Sequence, residues 1–134
     1  MKGILFLCVA NSARSQMAEG IARSMAPPGI EVWSAGSHPT SVRPEAIQVL
    51  QEIGIDISSY RSKSVSEIPT EVIDTVITLC AEEECPVFLG KANRLHWGLS
   101  DPAMPGVPKT ELLNEFRRTR EKLLKLITAL FQQC

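Results

Sequence analysis

The stretch KGILFLCVANSARS, residues 2–15, joins a short apolar run to a cysteine that is followed, after five intervening residues, by an arginine. Lys2 to Leu7 has the length and apolar content of a buried strand. A helix is predicted to open at Ser12–Ser15 and to run to about Met25, because its apolar residues recur on one face and the Pro-Pro-Gly sequence at 27–29 ends it. The turn between this strand and this helix therefore carries Cys8.

The same alternation of strands and helices continues through the rest of the chain. It indicates a parallel sheet covered on both faces. We therefore expect an α/β fold, a single three-layer domain over residues 1–134 with a four-stranded parallel sheet flanked by helices. The further strands are predicted at Glu31–Ser34, Asp74–Leu79 and Asn93–Trp97, and the further helices at Pro44–Ile53 and Thr110–Phe131.

Composition limits the classes of protein that this chain can represent. A length of 134 residues suits one compact domain, and 44% hydrophobic with 22% charged residues is typical of a globular protein. The net charge of -1 gives no sign of a nucleic-acid or polybasic membrane surface. The apolar start is far shorter than the roughly 20 residues of a membrane span and lacks the layout of a secretory signal. We expect a cytoplasmic protein with neither nucleic acid nor membrane as a partner.

The Cys8 turn has the features of an anion-binding loop. Unpaired N–H groups and the helix dipole favour negative charge at a helix N-terminus. Arg14 adds a two-pronged donor for an oxyanion. The same field favours a thiolate at Cys8, which Ser15 could stabilise while Asn11 holds the loop. The alternative is a buried structural cysteine with a solvated Arg14. The predicted oxyanion-binding residues are Val9, Ala10, Asn11, Ser12, Ala13, Arg14 and Ser15.

Two more candidate groups fall beyond predicted strand ends, where ligands of parallel sheets bind. Asp101 follows the fourth strand and could protonate a leaving oxygen if it faces Cys8. The alternative for Asp101 is a turn aspartate before Pro102. Cys80 ends the third strand, and Cys85 follows after four residues. A reductase needs such a thiol pair because two electrons must be supplied, whereas a phosphatase does not.

Geometry restricts how Cys80 and Cys85 can pair. Five residues of α-helix rise about 7.5 Å, beyond the Cα separation of roughly 4.4–6.8 Å that a disulfide allows. We therefore predict that this segment is a loop, or unwinds, when it is oxidised. A secreted disulfide scaffold and a zinc site are alternatives, and zinc would need two further ligands from Cys8, His38, His96 and Cys134. We expect no metal and no cofactor, and we treat the terminal Cys134 as non-catalytic.

Taken together, the motifs resemble those of the arsenate reductases of the low-molecular-weight tyrosine phosphatase superfamily, thioredoxin-coupled type. The resemblance implies that fold and a sequence of thiol reactions. Cys8 attacks arsenate, and Asp101 protonates the departing oxygen. Cys80 then attacks the adduct, releasing arsenite and leaving a Cys8–Cys80 disulfide, which Cys85 converts to Cys80–Cys85. The matching stretches are CVANSARSQMAEG at 8–20, WSAG at 33–36, TLC at 78–80, and HWG at 96–98 running into Asp101-Pro102.

The resemblance also implies partners. Thioredoxin reduces the final disulfide in most members, and glutaredoxin with glutathione does so in others. The four residues between Cys80 and Cys85 are fewer than in well-known thioredoxin-linked members, so the reductant stays open. Phosphate and sulfate are expected to compete with arsenate. We expect a monomer.

Some members bind potassium beside the loop through Asn, Glu, Ser and Asp side chains. Asn11, Glu19 and Ser34 match three of these positions, and Lys63 stands where the aspartate would be. A lysine ammonium group can replace the cation, so we predict no potassium dependence.

The principal rival is a low-molecular-weight protein tyrosine phosphatase, which would use Cys8, Arg14 and Asp101 equally well. Family phosphatases usually carry aromatic residues after Asp-Pro, whereas Ala103-Met104 follow here. This difference argues against an aromatic substrate, and we expect at most weak phosphatase activity. A non-catalytic oxyanion-binding module is a second rival.

Overall fold

The computed structural model describes residues 1–81, 86–88 and 90–133. Its four strands form one sheet in the order β2-β1-β3-β4, and every pair is parallel. The predicted α/β fold with a four-stranded parallel sheet is confirmed. The strands are β1 (Gly3–Cys8), β2 (Glu31–Gly36), β3 (Thr75–Thr78) and β4 (Asn93–His96), and the helices are α1 (Arg14–Met25), α2 (Pro44–Gln51) and α3 (Lys109–Gln132).

The central strand β1 explains why both faces of the sheet are covered. All six of its residues are buried, and alternate side chains enter two separate cores. Ile4 and Phe6 pack with residues of α1, α2 and α3. Leu5 and Leu7 pack on the other face with a group that includes Ile68, Val76 and Phe88. Two short 3-10 helices, Val65–Glu67 and Thr70–Val72, lie within the segment before β3 on that second face.

The observed boundaries of several helices and strands differ from the predicted ones by about two residues. Helix α1 begins at Arg14 rather than at Ser12, because the preceding peptide groups bond to other segments instead of to the helix. Strand β2 continues two residues further, to Gly36. Helix α2 ends at Gln51 rather than at Ile53, and the chain then turns through Gly54 at a φ of 82°.

No helix within the described part of the chain is both long enough and apolar enough to cross a membrane.

The sheet brings the predicted reactive groups to one edge. Leu7 pairs with Thr78 in the register of β1 and β3, and the Leu79 N–H donates to the Leu7 carbonyl at 2.9 Å. Cys8 therefore lies beside the chain that leads into Cys80. Strand β4 ends at His96 on the same edge, five residues before Asp101.

Candidate active site

A cavity of about 170 Å³ lies at the carboxyl end of β1. It joins Cys8 and Arg14 to Asp101, three residues that the sequence placed in the site. Cavities that bury drug-sized ligands begin at about 300 Å³, so this volume suits a small inorganic anion. A larger cleft of about 420 Å³ lies beside the end of α1, but its described lining residues include no thiol or histidine. The smaller cavity is lined by Cys8, Val9, Ala10, Ser12, Ala13, Arg14 and Asp101.

The carbonyl groups of residues 9–13 all bond to donors outside the cavity. Because a trans peptide places its C=O and N–H on opposite sides, this arrangement turns amide hydrogens of the loop toward the cavity. An anion there meets an array of N–H donors at the start of α1. The bonds are His38 N–H to Val9 O at 2.9 Å, Thr40 N–H to Ala10 O at 3.1 Å, Ser62 Oγ to Asn11 O at 2.7 Å, Arg43 N–H to Ser12 O at 2.9 Å, and Met17 N–H to Ala13 O at 2.9 Å.

The loop passes so close to the end of β2 that only glycine fits at position 36. A Cβ on Gly36 would lie 2.3 Å from the Val9 carbonyl oxygen and 2.8 Å from that of Cys8. Within the loop, Asn11 adopts a φ of 49°, which is uncommon for a residue with a side chain. Strained backbone of this kind persists only where surrounding bonds fix it.

One backbone group sets the direction of the hydrogen bonds behind Cys8. The Lys63 N–H can only donate, and it lies 2.9 Å from Asn11 Oδ1. Asn11 therefore presents Nδ2 to Ser15 Oγ at 2.7 Å and to Ser34 Oγ at 3.0 Å. Ser15 Oγ accepts that hydrogen, so its own hydroxyl can donate to Cys8 Sγ at 2.8 Å. A hydrogen bond donated to sulfur stabilises a thiolate relative to a thiol.

Arg14 links the loop to the segment that follows β4. Its side chain is buried, and Nη1 donates to the Leu99 carbonyl at 2.8 Å. The Leu99 N–H in turn donates to the Leu79 carbonyl at 3.1 Å. Arg14 is thus two hydrogen bonds away from Leu79, the residue before Cys80.

Asp101 lies in a turn and also lines the cavity, and its role as an acid stays a prediction. Its Oδ1 accepts the Ala103 N–H at 2.9 Å, and its carbonyl accepts the Met104 N–H at 3.3 Å, as in a turn. It also lines the cavity with Cys8. The same residue therefore belongs to a turn and to the cavity lining.

The predicted thiol pair is described only in part. Cys80 is buried, at 2% exposure. Cys85 and Cys134 lie outside the described residues, and so does the predicted loop or unwinding of the segment between Cys80 and Cys85. That prediction stays a prediction.

Sequence reasoning missed Gln16. Its Nε2 donates to Asn11 Oδ1 at 2.8 Å and to Asn11 O at 3.1 Å, which fixes the amide from a second direction. The signal available in the sequence was a polar side chain in the first turn of the predicted helix, directly after the loop. Within residues 1–81, 86–88 and 90–133, no group of three or more His, Cys, Asp or Glu side chains could hold a metal ion. The absence of a metal and the independence from potassium both stay predictions.

Comparison with known proteins gives one consistent result. The family described as low molecular weight phosphotyrosine protein phosphatase matches residues 3–134. An arsenate reductase of Halalkalibacterium halodurans is 40% identical over 128 residues, which cover 94% of this chain and 92% of that relative. Arsenate reductase 2 of Staphylococcus epidermidis is 38% identical over 124 residues, covering 91% of this chain and 90% of the relative.

Solved structures agree with these relatives. One described as an arsenate reductase in the phosphate binding state superimposes with a TM-score of 0.81 at 33% identity, covering 99% of this chain and 98% of that chain. A thioredoxin-dependent arsenate reductase of Corynebacterium glutamicum gives a TM-score of 0.62 at 32% identity, covering 96% of this chain and 63% of that chain.

Proposed function

This chain belongs to the low molecular weight phosphotyrosine protein phosphatase family, and from that premise we propose that it is an arsenate reductase in which Cys8 is the nucleophile. The single observation that carries the assignment of residues is the small cavity that joins Cys8, Arg14 and Asp101. The arsenate reductases at 38–40% identity support the choice of reaction within the family.

In the first step, the Cys8 sulfur attacks arsenic, and one hydroxyl group of the protonated arsenate leaves as water after it takes a proton from Asp101. Loop N–H groups and Arg14 bind the remaining oxygens and stabilise the charge that develops on them. The hydrogen bond from Ser15 Oγ keeps the sulfur oriented. The product of this step is an arsenic(V) adduct on Cys8.

In the second step, Cys80 supplies the electrons. Its sulfur attacks the Cys8 sulfur, so an S–S bond forms, the sulfur–arsenic bond breaks, and the electron pair leaves with arsenic as arsenite. The proximity of Cys8 to the chain at Leu79 supports this step, since paired strands lie about 4.8 Å apart. Cys85 then attacks the Cys80 sulfur and releases the Cys8 thiolate.

The closing step needs an external dithiol that reduces the Cys80–Cys85 disulfide. We propose thioredoxin, with glutaredoxin and glutathione as the alternative, because a similar solved structure is described as thioredoxin-dependent.

Phosphate is expected to compete with arsenate, because another similar structure is described as phosphate-binding. We propose that the protein acts as a monomer in the cytoplasm, where the reducing conditions that regenerate its thiols prevail.

A phosphatase activity on small aryl phosphates is expected as a minor activity, because the first step needs only the cavity. Asp101 is followed within three residues by Met104, which is exposed but not aromatic. A phosphotyrosine ring would therefore lack a stacking partner at this position.

The decisive test compares Cys80→Ser and Cys85→Ser, made separately, with Cys134→Ser as the matched control. Arsenate-dependent turnover is measured with thioredoxin and with glutaredoxin plus glutathione, alongside hydrolysis of an aryl phosphate. We expect the first two variants to lose turnover with both reductants and to keep aryl phosphate hydrolysis, and the control to keep both. Full turnover in Cys80→Ser would refute the thiol cascade.

A further inference from the structure

Lys63 lies outside the cavity lining, yet a continuous series of hydrogen bonds joins it to the nucleophile. The series runs from the Lys63 ammonium group to Glu19, and from there through Ser34, Asn11 and Ser15 to Cys8. We propose that Lys63 is a positioning residue for Cys8, because its ammonium group holds the Glu19 carboxylate in place at the outer end of this series. The inference rests on the proposed function only in taking Cys8 as the nucleophile. The distances from Lys63 inward are 3.4, 2.6, 3.0, 2.7 and 2.8 Å.

Glu19 is the first acceptor in the series and has two cationic neighbours. Its side chain is only 4% exposed, and a buried carboxylate is costly unless it is paired. Lys63 Nζ lies 3.4 Å from Oε1, and Arg23 Nε lies 3.0 Å from Oε2. The pKa of Tyr60 is raised, first by burial and then by the negative charge of Glu19. The negative charge of Glu19 therefore acts on a neighbouring titratable group.

Lys63 is the better placed of the two cations. Its side chain is 13% exposed, whereas that of Arg23 is 52% exposed and is more strongly screened by water. Lys63 also contributes at two points, because its N–H donates to Asn11 Oδ1 while its Nζ pairs with Glu19. The remaining described contact of Nζ is with the Arg61 carbonyl at 3.3 Å.

Loss of the Lys63 ammonium group would weaken the series at its outer end. Glu19 Oε1 would then keep Ser34 as its remaining described donor, and the carboxylate would be drawn toward Arg23, which pairs with Oε2. Ser34 Oγ donates to Oε1 at 2.6 Å and accepts from Asn11 Nδ2 at 3.0 Å, so a displaced Glu19 strains both bonds. Asn11 cannot flip to compensate, because its Oδ1 accepts from the Lys63 N–H and from Gln16. Asn11 Nδ2 would then hold Ser15 Oγ less firmly, and the Ser15 hydroxyl would be less well oriented toward Cys8.

The test measures the reactivity of Cys8 directly in the full-length, reduced protein. Iodoacetamide alkylation of the Cys8-containing peptide is followed by mass spectrometry from pH 5 to pH 9 in Lys63→Met, Lys63→Arg and Arg61→Met. Arg61→Met is the matched control because this neighbouring cation pairs with the exposed Glu67, and the substitution keeps the backbone carbonyl. The charged groups that face the series, Arg14, Arg23, Asp101 and Tyr60, are the same in all variants.

We expect Lys63→Met to slow alkylation at pH 7 about tenfold and to move the profile toward alkaline pH by about one unit. Lys63→Arg should restore the rate to within about threefold, because it keeps a positive charge, and Arg61→Met should match the parent protein. A Lys63→Met protein that is folded, less heat-stable and unchanged in its alkylation profile would overturn the proposal. If Lys63→Met does not fold, Lys63→Gln gives the same comparison, and a parent-like profile there overturns it too. The assay uses no arsenate, so failure of arsenate reduction in the parent protein would be a separate result.

Discussion

The two sides of the cavity are built differently. The loop at residues 8–15 accepts hydrogen bonds from the connection between β2 and α2 and from the stretch before β3, and Asn11 at its centre is completely buried. The facing segments, residues 79–80 and 97–101, follow β3 and β4. All four residues of β4 are exposed, and Arg14 joins the two sides through the Leu99 carbonyl.

This difference separates the two stages of the proposed reaction. The loop presents its donors before any anion arrives, which removes a reorganisation cost from the first step. The second thiol is buried beside a strand pair only four residues long. Substitutions in the loop should therefore impair arsenate reduction and aryl phosphate hydrolysis together. Substitutions beside Cys80 should impair arsenate reduction alone.

The largest effect is expected for Asp101→Asn. Asp101 lies in the facing segments, but both arsenate reduction and aryl phosphate hydrolysis are proposed to need its proton. An amide oxygen can still accept the Ala103 N–H, but an amide cannot act as the acid. We expect both turnover rates to fall by about 10²- to 10⁴-fold, with phosphate affinity by calorimetry nearly unchanged.

Asp56→Asn is the matched control for this variant. Asp56 Oδ1 accepts the Ser58 N–H at 2.9 Å in a comparable turn away from the cavity. The two turnover rates of Asp56→Asn should stay at the parent level. If the turnover rates of Asp101→Asn stayed within threefold of the parent, another group would be the acid.

Gly36→Ala should give the next largest effect. The new Cβ would overlap the Val9 carbonyl oxygen, so the loop must move away from its present position. We expect both activities to fall by about 10²-fold together, because displacements of about 1 Å at a reacting centre have that effect. Gly29→Ala, at a φ of 92° with open space around it, should lower the melting temperature without changing either rate. Normal phosphate binding by Gly36→Ala would contradict the idea of a rigid loop.

Gly98→Ala probes the facing segments and should have a smaller effect. A Cβ there would lie 3.2 Å from His96 Nε2 and 3.6 Å from the Cys80 carbonyl oxygen, and the exposed His96 ring can move slightly. We expect arsenate turnover to fall by at most about threefold and aryl phosphate hydrolysis to stay the same. The ratio of the two activities is the measurement. An equal loss of both would remove the distinction between the two sides.

The smallest effect concerns Glu52, which contacts neither side of the cavity. Hydrogen bonds from Arg117 and Arg120 lower the pKa of Glu52 to about 2 from the usual 4.5. Since the folded-state pKa is depressed, the stabilisation is present above about pH 4.5 and is lost as the pH falls toward 2. Urea midpoints of Glu52→Gln should lie slightly below those of the parent at pH 7, and the gap should narrow by pH 3. Activity at pH 7 should not change.

Much of the fold was predictable because it depends on local periodicity. The buried character of Gly3–Cys8 and the long amphipathic pattern of α3 follow from residue order alone. Boundaries were less predictable where tertiary bonds compete with helical ones. Carbonyl groups of residues 9–12 accept hydrogen bonds from residues 29 to 51 positions further along the chain, so α1 starts two residues later than the helical pattern indicates.

The sequence by itself determined the candidate reactive groups of this protein. They are Cys8 at the end of a strand, Arg14 at the start of the helix that follows, and Asp101 beyond the last strand. These features are fixed by spacing within short segments. Only the tertiary structure decided how the loop is held, through the capping bonds on its carbonyls, the close approach of Gly36, and the connection from Lys63 through Glu19 to Cys8. Those contacts join residues that are far apart in the chain, and no local pattern of residue types encodes which distant donor meets which acceptor.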